Sequence, residues 1–312
     1  MPKCKVIDTF PAFLSFWTES QHRPLNVQIE AWSAEYMAQW PELREKQLED
    51  YASQEVDWRQ IARERVFPFL VVRLPAMKTA HENLLAVCEG IYSRSEEVLG
   101  FDFETLFVIY VGIGCGAGWG TQFQGSPAVL FGLENIAECG WSQPPSITGL
   151  VAHEIGHLVH DYWRAKYEKA VESGPWWQLY REGFAQGCEH IVCGEHSWHM
   201  RSDIDGDDWL DWCQQHKKLL ASEFLRRVDD DGSVRPFFGS WFDVQGRKQC
   251  GYFLGHELIR QLEANMNMKE IALLDHTEEW LRRGLERMFP FSKSSRAVPN
   301  RVSSCFLIDC SH

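Results

Sequence analysis

His153-Glu154-Ile155-Gly156-His157 decides the reading of this 312-residue chain. On a helix, histidines four residues apart project from one face, about 6 Å apart along the axis at ~1.5 Å rise per residue. That spacing lets two imidazole nitrogens reach one Zn²⁺ at roughly 2.0–2.1 Å. Glu154 is swung about 100° around the helix, placed to take a proton from metal-activated water rather than to bind the metal. With 12 histidines in the chain, chance yields an HExxH string roughly 0.04 times, which favours metal over accident.

The flanks support a helix. Pro144-Pro145-Ser146 stops the preceding loop, and Ser146 or Thr148 can cap a helix running to about residue 169. Pro175 starts another, about 176–193, containing Arg181-Glu182-Gly183-Phe184-Ala185. Two histidines leave a hydrolytic zinc site one protein ligand short. His160 shares their face but stands about 10.5 Å along the axis from His153, too far for one ion on an unbroken helix; it reads as support or packing. Glu182 lies 25 residues after His157, on a helix that must return antiparallel to face the histidines. Gly183 permits close helix approach, and Ala185 keeps the same face uncluttered. The bland alternative is an exposed helical carboxylate.

Upstream, LFVIYVGI (106–113) and PAVLFGL (127–133) are apolar, β-branched runs typical of buried strands. GIGCGAGWG between them has no Gly-Lys-Ser/Thr and no GxGxxG before a helix, so it reads as a flexible glycine turn rather than a phosphate loop. Residues 26–66 have helical periodicity, broken at Pro41. Pro75 closes the short VFPFLVVRLP run, and a further helix spans about Met77 to Leu99, ended by Gly100. The organisation expected is an N-terminal helical region (1–100), a core carrying the motif (101–290) and a C-terminal tail (291–312), in a mostly helical α+β fold.

Composition narrows the class. A hydrophobic share of 45% and a charged share of 24% are ordinary for a globular chain. The net charge of −13 argues against nucleic acid or an anionic membrane as partner. Without an apolar signal region or a run of about 18 apolar residues, a cytoplasmic location is expected. The 10 cysteines include no CxxC and are expected reduced. The 14 tryptophans serve a core or line a cleft. Asp203-Ile204-Asp205-Gly206-Asp207-Asp208 misplaces the glycine of a calcium loop and reads as a solvated turn.

HEIGH followed by REGFA resembles the gluzincin metallopeptidases, whose third zinc ligand is a glutamate on the helix after HExxH, often within EG-x-A. The strand-loop-strand before it and GYFLGHELI after it are similar to a family of predicted zinc-dependent proteases of unassigned substrate, over about residues 105–265. The resemblance implies a zincin-like core, with a small mixed sheet packed on the HExxH helix and the helices after it. It further implies a Zn²⁺ site of His153, His157 and Glu182, with Glu154 as general base and a peptide or protein as substrate. Thermolysin-like members carry an aspartate four residues after the glutamate ligand, where this chain has Gln186. Glu189, or Asp161, is the candidate to orient a ligand histidine instead. Tyr252 and His256, four apart on one helical face, are candidates to stabilise the oxyanion, Tyr252 foremost; the alternative is packing beneath the site. A zinc-stabilised binding or regulatory protein without turnover is the rival from another class.

Overall fold

The computed structural model describes residues 3–201 and 208–288. The chain opens with strand β1 (Cys4–Asp8), then helices α1 (Phe10–Ser20), α2 (Leu25–Ala31), α3 (Pro41–Ser53), α4 (Trp58–Ile61) and α5 (Leu70–Leu99). Strands β2 (Thr105–Tyr110), β3 (Gly118–Phe123) and β4 (Ser126–Gly132) follow, then α6 (Leu133–Cys139), α7 (Pro144–Lys166) and α8 (Pro175–Cys193). Five more helices follow among the described residues: α9 (Trp209–Gln215), α10 (Lys217–Asp229), α11 (Cys250–Glu263), α12 (Met268–Ala272) and α13 (Thr277–Met288). The calcium-like string through Asp207 and the expected tail lie outside the described residues. The fold is mostly helical with one small mixed sheet, as an α+β class requires.

The sheet has strand order β1-β2-β4-β3. β1, β2 and β4 are parallel, and β3 pairs antiparallel with β4 at one edge. β2 and β4 are the two expected strands, and their near-continuous burial explains their unbroken apolar sequence. The other two strands depart from expectation. β3 takes up the end of the glycine run, so the flexible turn is shorter than its sequence suggests. A tight turn fixes β3 on β4: Gln124 and Gly125 have φ of 51° and 74°, the left-handed pair that suits a two-residue hairpin loop. β1 shows that the first hundred residues supply a strand as well as helices. Its register sets Cys4 opposite Thr105 and Asp8 opposite Ile109.

Pro75 also departs from expectation: it lies inside α5, which begins at Leu70, rather than closing the run before a helix from Met77. It removes the donor for the Val71 carbonyl, and Val71 is exposed, so that carbonyl can be solvated. α5 packs on α6 and α7, β3 and β4 lie against α7, and α8 is sandwiched between α7 and α11. Both α8 contacts depend on small residues. A Cβ on Gly183 would stand 2.3 Å from the Gly255 carbonyl carbon, and one on Gly156 would stand 3.1 Å from Ala185 Cα. Among the described residues, no helix is long and apolar enough to cross a membrane.

Candidate metal centre

α7 is buried on every side from Val151 to His160. Apolar residues alone would suit that setting, yet His153, Glu154, His157 and His160 all sit there. Buried polar groups need partners, and α8 supplies them by returning across α7. Glu182 Oε2 lies 3.1 Å from His153 Nε2 and 3.4 Å from His157 Nε2. The three donor atoms fall within 4.8 Å of one another, a grouping able to hold a metal ion. Ligand atoms about 2.0–2.1 Å from a tetrahedral ion stand about 3.3 Å apart, so both of these separations suit a shared ion. The donor set, two imidazoles and one carboxylate, is a set zinc accepts.

The three groups are electrostatically linked: burial lowers His157, but the Glu182 carboxylate beside it outweighs burial and raises its pKa. Burial lowers His153 to about 4 and so keeps its imidazole neutral. Burial alone would raise Glu182, but the neighbouring His157 and His153 outweigh it and hold the carboxylate well below its ordinary range.

Glu154 stands apart from the trio. Its Oε2 accepts the Gly120 N–H at 3.1 Å. It lies so close to β3 that a Cβ on Gly118 would come within 2.4 Å of its Oε1, so glycine at 118 is a condition of its position. Burial raises its pKa, opposed by the charge of His157, which suits a group that must take up a proton.

His160, with the axial offset noted above, is outside the trio. Its ring packs among Trp177, Tyr180 and Phe184 at centroid distances of 5.3, 5.4 and 5.0 Å. Asp161 accepts from His160 Nδ1 and pairs with Arg181, so it orients no ligand of the trio. Gln186 donates to the Ser197 carbonyl at 3.0 Å. Glu189 is wholly buried but stands 3.8 Å from His153 Nδ1, beyond hydrogen-bond reach. It accepts instead from Ser197 Oγ at 2.7 Å, from the His199 N–H at 2.9 Å and from His199 Nδ1 at 2.7 Å.

His199 is the residue that sequence reasoning missed. Its ring lies 4.6 Å from that of His153, and with His153 and Glu189 it forms a second grouping able to hold a metal, buried throughout. It reaches the centre through an irregular segment, where no helical or strand period fixes the spacing. The only available signal was a histidine ten residues after Glu189. Tyr252 is brought to the centre, with its ring 5.4 Å from His153 and 5.9 Å from His199, and burial keeps its phenol protonated. His256 is not: it packs against His190 and Trp198 at 4.2 and 5.3 Å and is not part of the cleft wall.

A cleft of about 320 Å³ opens onto Glu154, His157 and Glu182, walled by Trp119, Trp141, Trp241 and Phe238. Other tryptophans, including Trp17, Trp32 and Trp163, belong to the core, so both readings of the tryptophan content hold for different residues. Comparison with family models, curated proteins and solved structures returned no match.

Proposed function

We propose that this chain is a zinc-dependent hydrolase with a zincin-like core, a metallopeptidase of gluzincin type. One observation carries the reading: Glu182 Oε2 stands from each histidine nitrogen at a separation suited to a tetrahedral ion, all three donor atoms lie within 4.8 Å of one another, and a buried carboxylate beside them is not one of the three. His153, His157 and Glu182 would hold the ion. Zinc in that position would make water acidic near neutral pH and polarise a carbonyl.

The chain's own residues account for the remaining chemistry. Glu154 takes the proton from water and passes it to the leaving amine. Its contact with the Gly120 N–H keeps it facing the cleft. Tyr252 and His199 border the cleft and offer donors to a developing oxyanion, Glu189 holding the His199 ring in one orientation.

The peptide reading draws support from β3. It is an edge strand, and the Gly120 N–H pointing to Glu154 shows which backbone groups turn away from β4. By antiparallel alternation, the backbone groups of Gly118 and Gln122 turn the same way, so an extended chain can add to this edge.

The test is Glu154→Gln, examined by elemental analysis and by cleavage of a peptide library with and without chelator. The variant should keep zinc and lose at least about 10²-fold in turnover; full activity would remove the general-base role. The rival, a zinc-stabilised protein without turnover, is favoured by the buried His153, Glu189 and His199 grouping. An ion bound by four protein ligands, seen by X-ray absorption, would support that rival.

A further inference from the structure

Arg181 is the one lysine or arginine among the described residues walling the cleft. It precedes Glu182 on α8 and reaches Asp161, which lies one turn past His157 on α7. Both contacts to Asp161, at 3.1 and 3.4 Å, use a single terminal nitrogen. Nε is buried without a partner. A guanidinium carries five N–H donors in a fixed fork that matches a carboxylate, so most of this one is unused. The Asp161 side chain is 55% exposed, and a surface ion pair of that kind adds little to stability. A second carboxylate can therefore join or replace it without cost to the fold.

The course of β3 fixes which part of a substrate meets Arg181. Gly118 lies against the Glu154 carboxylate, and Gly120 lies against His157 Cβ at 3.3 Å. β3 and α7 thus run in the same sense past the centre. A chain paired antiparallel to β3, the more stable arrangement, runs from the Asp161 end towards the Glu154 end. That direction sets the leaving nitrogen towards Glu154, the group that gives it a proton. Arg181 then stands beside residues on the N-terminal side of the cut bond.

We propose that Arg181 selects peptides carrying a carboxylate side chain upstream of the bond that is cut. The inference rests on the peptidase reading and deepens it by naming a substrate class. The test uses the full-length, zinc-loaded chain and peptides that differ only in having Glu, Gln or Lys at one of the three residues before the cut, the position taken from wild-type cleavage of a library. Glu should exceed Gln by about tenfold in kcat/KM, the size expected for a hydrogen bond to a charged group, with Lys poorest. The preference should shrink in high salt.

Arg181→Gln should erase the Glu-over-Gln ratio at unchanged zinc content, whereas Asp161→Asn, which frees the guanidinium, should keep or enlarge it. Fluorescence anisotropy of labelled peptides on zinc-loaded Glu154→Gln protein should rank them in the same order without turnover. A wild-type ratio within twofold, or a ratio that survives in Arg181→Gln, overturns the inference while leaving the peptidase reading intact. Zinc-loaded protein that cleaves no peptide overturns the peptidase reading, and the inference with it.

Discussion

Glu134 is a carboxylate buried in α6 with no exposed surface, and it accepts the N–H groups of Gly112 at 2.7 Å and Gly114 at 3.1 Å. It therefore pins the glycine turn that leads into β3. Burial lifts its pKa from 4.5 to about 7, against the opposing pull of those two N–H groups. A folded-state pKa above the unfolded value means that the folded state binds the proton more tightly. The associated stability is complete below pH 4.5 and is lost as pH rises through about 7. Relative to Glu134→Gln, the wild type should lose up to about 3 kcal/mol across that window. Urea unfolding of both proteins at pH 4.5, 6 and 7.5 measures it, and parallel pH profiles would refute it. At this scale the sequence was informative where a helical period applied. His153, Glu154 and His157 were legible because the geometry of one helix fixes their directions, and Glu182 through the resemblance of REGFA to the gluzincin pattern. His199 was not, because an irregular backbone carries no such rule.

The crossing of α8 and α11 shows how one element positions another. Gly183 and Gly255 meet backbone to backbone, and that approach sets Glu182 beside the histidines and Tyr252 above them. Gly183→Ala must push the helices apart. We expect a loss of about 1–3 kcal/mol in stability together with weaker zinc binding, read by denaturant titration and by competition with a chromogenic chelator. Unchanged zinc affinity would show that the crossing does not position Glu182. α7, α8 and the central strands were legible from proline boundaries and apolar runs. β3 was hidden because glycine has low strand propensity, and its pairing comes from the hairpin turn at Gln124-Gly125. β1 escaped notice because its partner lies about a hundred residues away and no local pattern records such pairing.

Across the whole molecule, the first hundred residues reach the segment that shapes the cleft. Trp32 Nε1 donates to the Val111 carbonyl at 3.0 Å, and the Tyr51 hydroxyl donates to the Ile113 carbonyl at 2.9 Å. The Val111 N–H in turn donates to the Tyr36 hydroxyl at 3.2 Å. With these ties, metal binding should stabilise the chain as one unit. At free zinc 100-fold above Kd, the gain is about 2.7 kcal/mol. Calorimetry should show a single transition that moves down on chelation. A second transition that ignores the chelator would mean that the N-terminal helices unfold independently.

Strand β1 also has a consequence in time. Cys4 leaves the ribosome about a hundred residues before Thr105, its partner. At about 5–20 residues per second, the strand waits roughly 5–20 s for a neighbour. Lys5, exposed within the strand, is the kind of charge that discourages pairing with another chain. Such a charge disfavours pairing with a foreign strand during the interval before Thr105 is made.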